Sequence, residues 1–146
     1  MGRSKDTTAS SLSRPSTQDL QIIILGDAVE SAHRTNECAS KLGSELKSKL
    51  KTAQIRNIFG KVRQIEMAWL DAEDEPSSRR ELVLLIPKMR YQTERKPELE
   101  SLAEVLIECI NLVEKGQSAL PARERFQRFV DFFEAILAYH KAAGGN

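Results

Sequence analysis

The chain has 146 residues, a formal net charge of +1, and 40% hydrophobic and 29% charged residues. That length admits one ordinary domain around one core, and the balance is that of a folded, water-soluble chain rather than a disordered one. A charge so close to zero excludes a protein that is basic throughout, so a nucleic-acid surface would have to come from local segregation of charge.

Residues 1–17 are rich in Ser and Thr and offer little to bury, which predicts a disordered N-terminal arm ahead of a helical domain over 18–146. The arm lacks the apolar run of a secretory signal. The longest apolar runs, at 20–25 and 82–87, are far too short to span a bilayer. A cytoplasmic protein without membrane contact is expected.

From Asp19 to Lys51, Leu25, Ala28, Ala32, Ala39, Leu42 and Leu46 recur at helical spacing. Gly26 and Gly43 each cost about 1 kcal/mol there. The segment is either one long helix or two pieces broken near His33–Asn36. Thr52 suits an N-cap, and Ile55, Ile58, Phe59, Val62, Ile65 and Trp69 then form one apolar stripe. An acidic loop over 71–78 ends that helix. The next starts near Ser78 and carries Leu82, Leu85, Ile86 and Met89, with Pro87 expected to kink or end it. Pro97 forces a further break. A fourth helix runs from about Glu98 to Lys115, with Gly116 after it. The last follows Pro121 and reaches about Ala143, where Gly144 and Gly145 stop it. No strand-like alternation occurs, so the predicted fold is an all-α, single-domain bundle of about five helices.

Cys38 and Cys109 stand far apart without Cys or His companions, and His33 and His140 are isolated. Metal sites need tighter ligand spacing. No Ser/His/Asp order and no phosphate-cradling glycine loop is present. No catalytic residue, cofactor or metal ligand is therefore assigned, and the chain reads as a non-enzyme.

Local chemistry is concentrated at Arg79–Lys96, which holds six cations and two anions. Lys88, Arg90, Arg95 and Lys96 surround Tyr91. This is either a solvated helix end with a half-buried tyrosine, or a surface where cations meet phosphates and a ring stacks on a base. Arg56 and Arg63 share a stripe beside the apolar face of their helix, with Lys61 on the opposite flank; such flank charges commonly cover the core edge with their stems. Glu66 falls on the apolar side, where a carboxylate needs a partner. An arginine within the bundle or in a neighbouring subunit is expected. In the last helix Phe126, Phe129, Val130, Phe133, Leu137 and His140 make one stripe. Phe132 and Tyr139 share a second with Arg125 and Arg128. Either this helix is central, or its second side meets a partner.

The run Phe126–Gly145, with its Glu-Ala-Ile-Leu-Ala-Tyr-His-Lys core at 134–141, resembles the C-terminal signature of the small subunit of the type III-A CRISPR effector (Csm) complex. Gln54-Ile55-Arg56-Asn57-Ile58-Phe59 and Pro87-Lys88-Met89-Arg90-Tyr91 followed by Arg95 agree in order. The resemblance covers roughly residues 52–145. It implies a non-catalytic scaffold that stacks in several copies as a filament beside the other subunits and contacts the guide RNA–target RNA duplex through its backbone. Arg56, Lys88, Arg95 and Lys141 are the leading candidates for RNA contact because they fall in the matched motifs. Lys61, Arg63, Arg90 and Lys96 are cations near them. The alternative is a helical protein–protein adaptor docking through the second stripe of the last helix.

Overall fold

The structure is a computed structural model and describes residues 14–146. The predicted disordered arm falls mainly on residues 1–13, outside the described residues. Six α-helices are present among the described residues: α1 Thr17–Leu25, α2 Ala28–Leu46, α3 Thr52–Ala68, α4 Glu75–Arg95, α5 Glu100–Lys115 and α6 Ala122–Ala142. Short 3-10 turns at Ala72–Asp74 and Pro97–Leu99 lead into α4 and α5. No strand occurs among the described residues. The all-α expectation holds, with one helix more than the five expected.

The extra helix comes from a break at Gly26–Asp27 rather than at His33–Asn36. Ser16 and Asp19 form a reciprocal capping box that starts α1. Gly26 ends it where a Cβ would lie 2.7 Å from the Ile22 carbonyl oxygen. Asp27 then caps α2 by accepting from the Val29 and Glu30 N–H groups. The Ser31 hydroxyl donates to the Ile23 carbonyl at 2.6 Å, and Arg34 pairs with Asp19 at 2.7 Å, folding α2 back along α1. Burial works to raise the Asp19 carboxyl, but the Ser16 N–H and the Arg34 guanidinium together hold it below the usual carboxylate range.

Three further expectations are corrected. The acidic segment after α3 is an exposed but ordered turn: Asp74 accepts from the Leu70 and Asp71 N–H groups, and Asp71 from that of Glu73. The next helix consequently begins at Glu75, with Pro76 in its first turn, not at Ser78. It also runs through Pro87 to Arg95. Pro87 lies on the exposed side, one turn after Val83, which is itself exposed, so water can satisfy the carbonyl that loses its donor. Thr52 is the first residue of α3 rather than its cap, and its hydroxyl is buried without a partner.

α6 is the centre of the bundle, packed against α1, α2, α3 and α5. Both of its apolar stripes pack into the bundle, buried throughout except at Leu137, Tyr139 and Arg128, which are half-buried. Phe126, Phe129 and Phe133 meet Trp69 and Phe59 of α3, with Trp69 stacked on Phe126 at 5.2 Å between centroids. Phe132 is 0% exposed, Arg125 is buried, and the Tyr139 hydroxyl bonds Asn36 of α2. The wide apolar arc therefore marks a central helix, and the adaptor reading loses most of the docking face on which it rested, since Phe132 and Arg125 are buried.

α2 runs parallel to α6, and closely. A Cβ on Gly43 would lie 2.8 Å from Tyr139 Cβ and 2.9 Å from both His140 N and Ile136 O. At the foot of this seam the His140 Nε2 bonds the Leu50 carbonyl at 2.7 Å. Gly144, at φ +100°, turns the chain so that Gly145 is laid against the His140 ring. His140 is a packed histidine, fully buried.

Candidate nucleic-acid interface

α3 and α4 lie side by side with a continuous groove between them. The core takes Ile55, Ile58, Val62 and Ile65 of α3 and Leu82, Leu85 and Met89 of α4. The next residues round each helix, one or two steps from these stripes, line the groove. At its upper end Lys61 and Gln64 face Ser77, Glu81 and Lys88 across a depression of about 230 Å³. Its middle is bordered by Lys61, Pro87, Lys88 and Tyr91. The lower end opens into a cavity of about 390 Å³ between Ala53, Asn57, Tyr91, Gln92, Arg95 and Lys96, floored by Leu99. Tyr91 is 64% exposed, and the Arg95 guanidinium lies 5.8 Å from its ring centroid.

Lys61, Lys88, Arg95 and Lys96 are thus brought together, although they come from two separated stretches of sequence. None of the four has a carboxylate within ion-pair distance among the described residues. Elsewhere the arginines are mostly engaged. Arg79 forks onto Glu114 at 3.0 and 3.1 Å and also meets Glu75, and these carboxylates hold its guanidinium pKa above the ordinary value. Arg14 reaches Glu104 and Glu108 of α5. Arg123, Arg125 and Arg128 donate to the backbone carbonyls of Trp69, Val113 and Gly26 respectively.

The other four predicted cations lie apart from the groove. Arg56 and Arg63 are on the far flank of α3, toward α6. Arg63 is spent: it pairs with Glu66 at 2.6 Å and lies over Phe59. Glu66 also accepts from Gln127 of α6 at 3.0 Å, so its expected arginine partner comes from its own helix. Lys141, fourteen residues after Gln127, falls on the same α3-facing side of α6 and is exposed. Arg56 and Lys141 thus flank a second, separate seam. Arg90 is exposed but sits about 200° around α4 from Lys88, away from the groove.

Sequence reasoning missed the uncharged groove residues. Asn57 and Gln92 make no side-chain hydrogen bond among the described residues, whereas Gln54 donates to Glu98 at 3.2 Å. That amide, after the Glu98 backbone N–H, helps hold the Glu98 carboxyl below its usual range. The signal was present in the spacing: Gln54, Asn57 and Lys61 share one side of α3, as Lys88, Gln92 and Arg95 do on α4.

Among the described residues no group of three or more His, Cys, Asp or Glu is placed to hold a metal ion. No helix among them is long and apolar enough to cross a membrane. Cys38 and Cys109 are buried free thiols, and burial pushes Cys38 up to about 11. No curated protein and no solved structure matches the chain. Residues 29–146 match the family model described as Csm2 Type III-A. That span takes in α2 to α6, the groove, the buried C-terminal signature and the Gly145 turn, and reaches further toward the N-terminus than the sequence resemblance did. The chain belongs to the Csm2 type III-A family, the small subunit of the type III-A Csm complex.

Proposed function

We propose that the α3–α4 groove is the surface through which this subunit contacts the backbone of the guide RNA–target RNA duplex, as a non-catalytic part of a cytoplasmic antiviral ribonucleoprotein. The observation that carries the reading is the set of four cations, Lys61, Lys88, Arg95 and Lys96, gathered along one groove and left without carboxylate partners among the described residues. A-form duplexes are read by shape and by phosphate and sugar contacts, which need spaced cations on a firm scaffold. Helices α3 and α4 provide that spacing. Arg56 and Lys141 form a second, weaker contact on the other side of α3.

Stacking of copies into a filament is part of the same proposal. Met67 and Leu70 are 67% and 72% exposed where α3 gives way to the 3-10 turn, on either side of the buried Trp69. A single exposed apolar residue is ordinary, but two together at one end of a bundle suit burial against a neighbouring subunit.

The test is a Lys61→Ala/Lys88→Ala/Arg95→Ala/Lys96→Ala variant assembled into the whole complex, beside an Arg56→Ala/Lys141→Ala variant. Each lost phosphate contact removes about 0.7–0.9 from the slope of log affinity against log salt. The fourfold variant should flatten the slope by about 3 and weaken unrelated target sequences alike, with assembly intact. The double variant should do less. Unchanged affinity and slope in both would end the RNA-contacting reading.

A further inference from the structure

We propose that the cavity beneath Tyr91 receives a single unpaired nucleobase of the bound RNA. The proposal rests on the RNA-contacting reading and adds to it a base-binding site, which backbone contact alone does not require.

Tyr91 is the one aromatic side chain among the described residues that stands mainly in water; Trp69 and Phe126, Phe129, Phe132 and Phe133 are all buried. It is not a loose rim residue. It projects from the interior of a 21-residue helix, and Arg95, one turn on, lies against its ring. An aromatic ring paired with a guanidinium is a platform that a base extends by stacking.

The adjoining cavity of about 390 Å³ is within the range of small-molecule pockets. Its apolar lining comes from Ala53, Leu99 and the Tyr91 ring, which suits the flat face of a heterocycle. Its rim carries the carboxamides of Asn57 and Gln92, neither of which has a side-chain hydrogen bond among the described residues. A carboxamide presents a donor and an acceptor side by side, the pattern of a base edge. Gln54 is less available, being held by Glu98. Lys96 at the mouth and Lys88 a short way up the groove stand where phosphates flanking an extruded base would pass. Cations along a continuous groove, with one ring and two free amides at one point, fit a polynucleotide with one base turned out better than a free nucleotide.

The experiment uses the full chain at low ionic strength and a single-stranded oligoribonucleotide carrying one 2-aminopurine and a terminal dye. Dye anisotropy reports binding, and 2-aminopurine emission reports stacking of that base. With the wild type both should change. Tyr91→Phe should keep both. Tyr91→Leu, a change at an exposed position, should abolish the 2-aminopurine response and weaken binding about 5- to 150-fold, the span of one lost base–aromatic stack. Its salt slope should stay as in the wild type, since no phosphate contact is removed. RNA that binds with unchanged 2-aminopurine emission, or Tyr91→Leu equal to the wild type, would overturn the base site while leaving the cation groove standing. No binding even at low salt would overturn both.

Discussion

The α2–α6 seam and the α3–α4 groove are both bordered by polar side chains, and they use them in opposite ways. In the seam the side chains are spent on the fold: Tyr139 bonds Asn36, His140 Nε2 the Leu50 carbonyl, and Arg128 the Gly26 carbonyl. In the groove Lys61, Lys88, Lys96, Asn57 and Gln92 are set in place by two helices and bonded to no carboxylate, carbonyl or amide among the described residues. Of the seam groups only His140 is cut off from water, but all three bonds join segments far apart in sequence and so fix one register between helices. Polar groups in the groove keep their water until something displaces it. The difference separates the part of the chain that makes the fold from the part that is free to act.

The comparison is broken most directly at Gly43. Gly43→Val forces a branched side chain into backbone atoms of α6 and should cost about 2–3 kcal/mol, roughly 10 °C in Tm. Thermal unfolding measures it, and a Tm within 2–3 °C of the wild type, roughly the shift of a mutation costing well under 1 kcal/mol, would mean the helices are not held this closely.

A smaller effect is expected at Asp19, whose carboxylate accepts from the Ser16 N–H in the capping box of α1 and from Arg34. Asp19→Asn should cost about 1 kcal/mol at neutral pH. The folded carboxyl is held below its unfolded value of about 3.9, so its stabilisation is present above that pH and is lost as pH falls through the folded value. The gap between wild type and variant should therefore close under acid titration. A gap that persists at low pH would show that charge is not its source.

Glu66 comes next. Its pair with Arg63 is partly exposed and its bond from Gln127 is a single neutral donor. Glu66→Ala should cost about 1 kcal/mol or less, because no buried cation is stranded. Denaturant titration showing 3 kcal/mol would restore the buried-charge expectation. The smallest effect belongs to the groove: the fourfold alanine variant should fold within about 0.5 kcal/mol of the wild type. Marked destabilisation there would mean the groove cations serve the fold after all.

Much of the fold was legible from periodicity. The stripes of α3, α4 and α5 are the stripes that are buried, because a helix that buries one face must show it at 3.6-residue spacing. What failed was local. Gly26-Asp27 was read only as a costly glycine, although an aspartate with an acid three residues on is a start signal. Pro87 was expected to kink or end its helix, and the helix does not end there, because solvent on its side of the helix cannot be seen in sequence. Gly43 was counted as a penalty, when it is the residue that lets two helices touch. The candidate site was half legible. The cations of 79–96 stood out by charge, but their meeting with Lys61 depends on α3 lying beside α4, a tertiary fact. Arg56, a leading candidate by its motif, and Arg63, a cation near it, lie on the other flank of α3 from the groove.

The position of α6 has a bearing on how the chain is made. It packs against four helices that all precede it, through contacts such as Arg128 to Gly26 and Tyr139 to Asn36 that span 102 and 103 residues. A nascent chain that has not yet released Ala122 onward can lay α2 on α1 and α3 beside α4, but the faces of α2 and α3 that meet α6 stay bare. Domain-sized chains fold as units once their long-range partners are available. The apolar faces of α2 and α3 that meet α6 are therefore covered only once the phenylalanine-rich helix has been made.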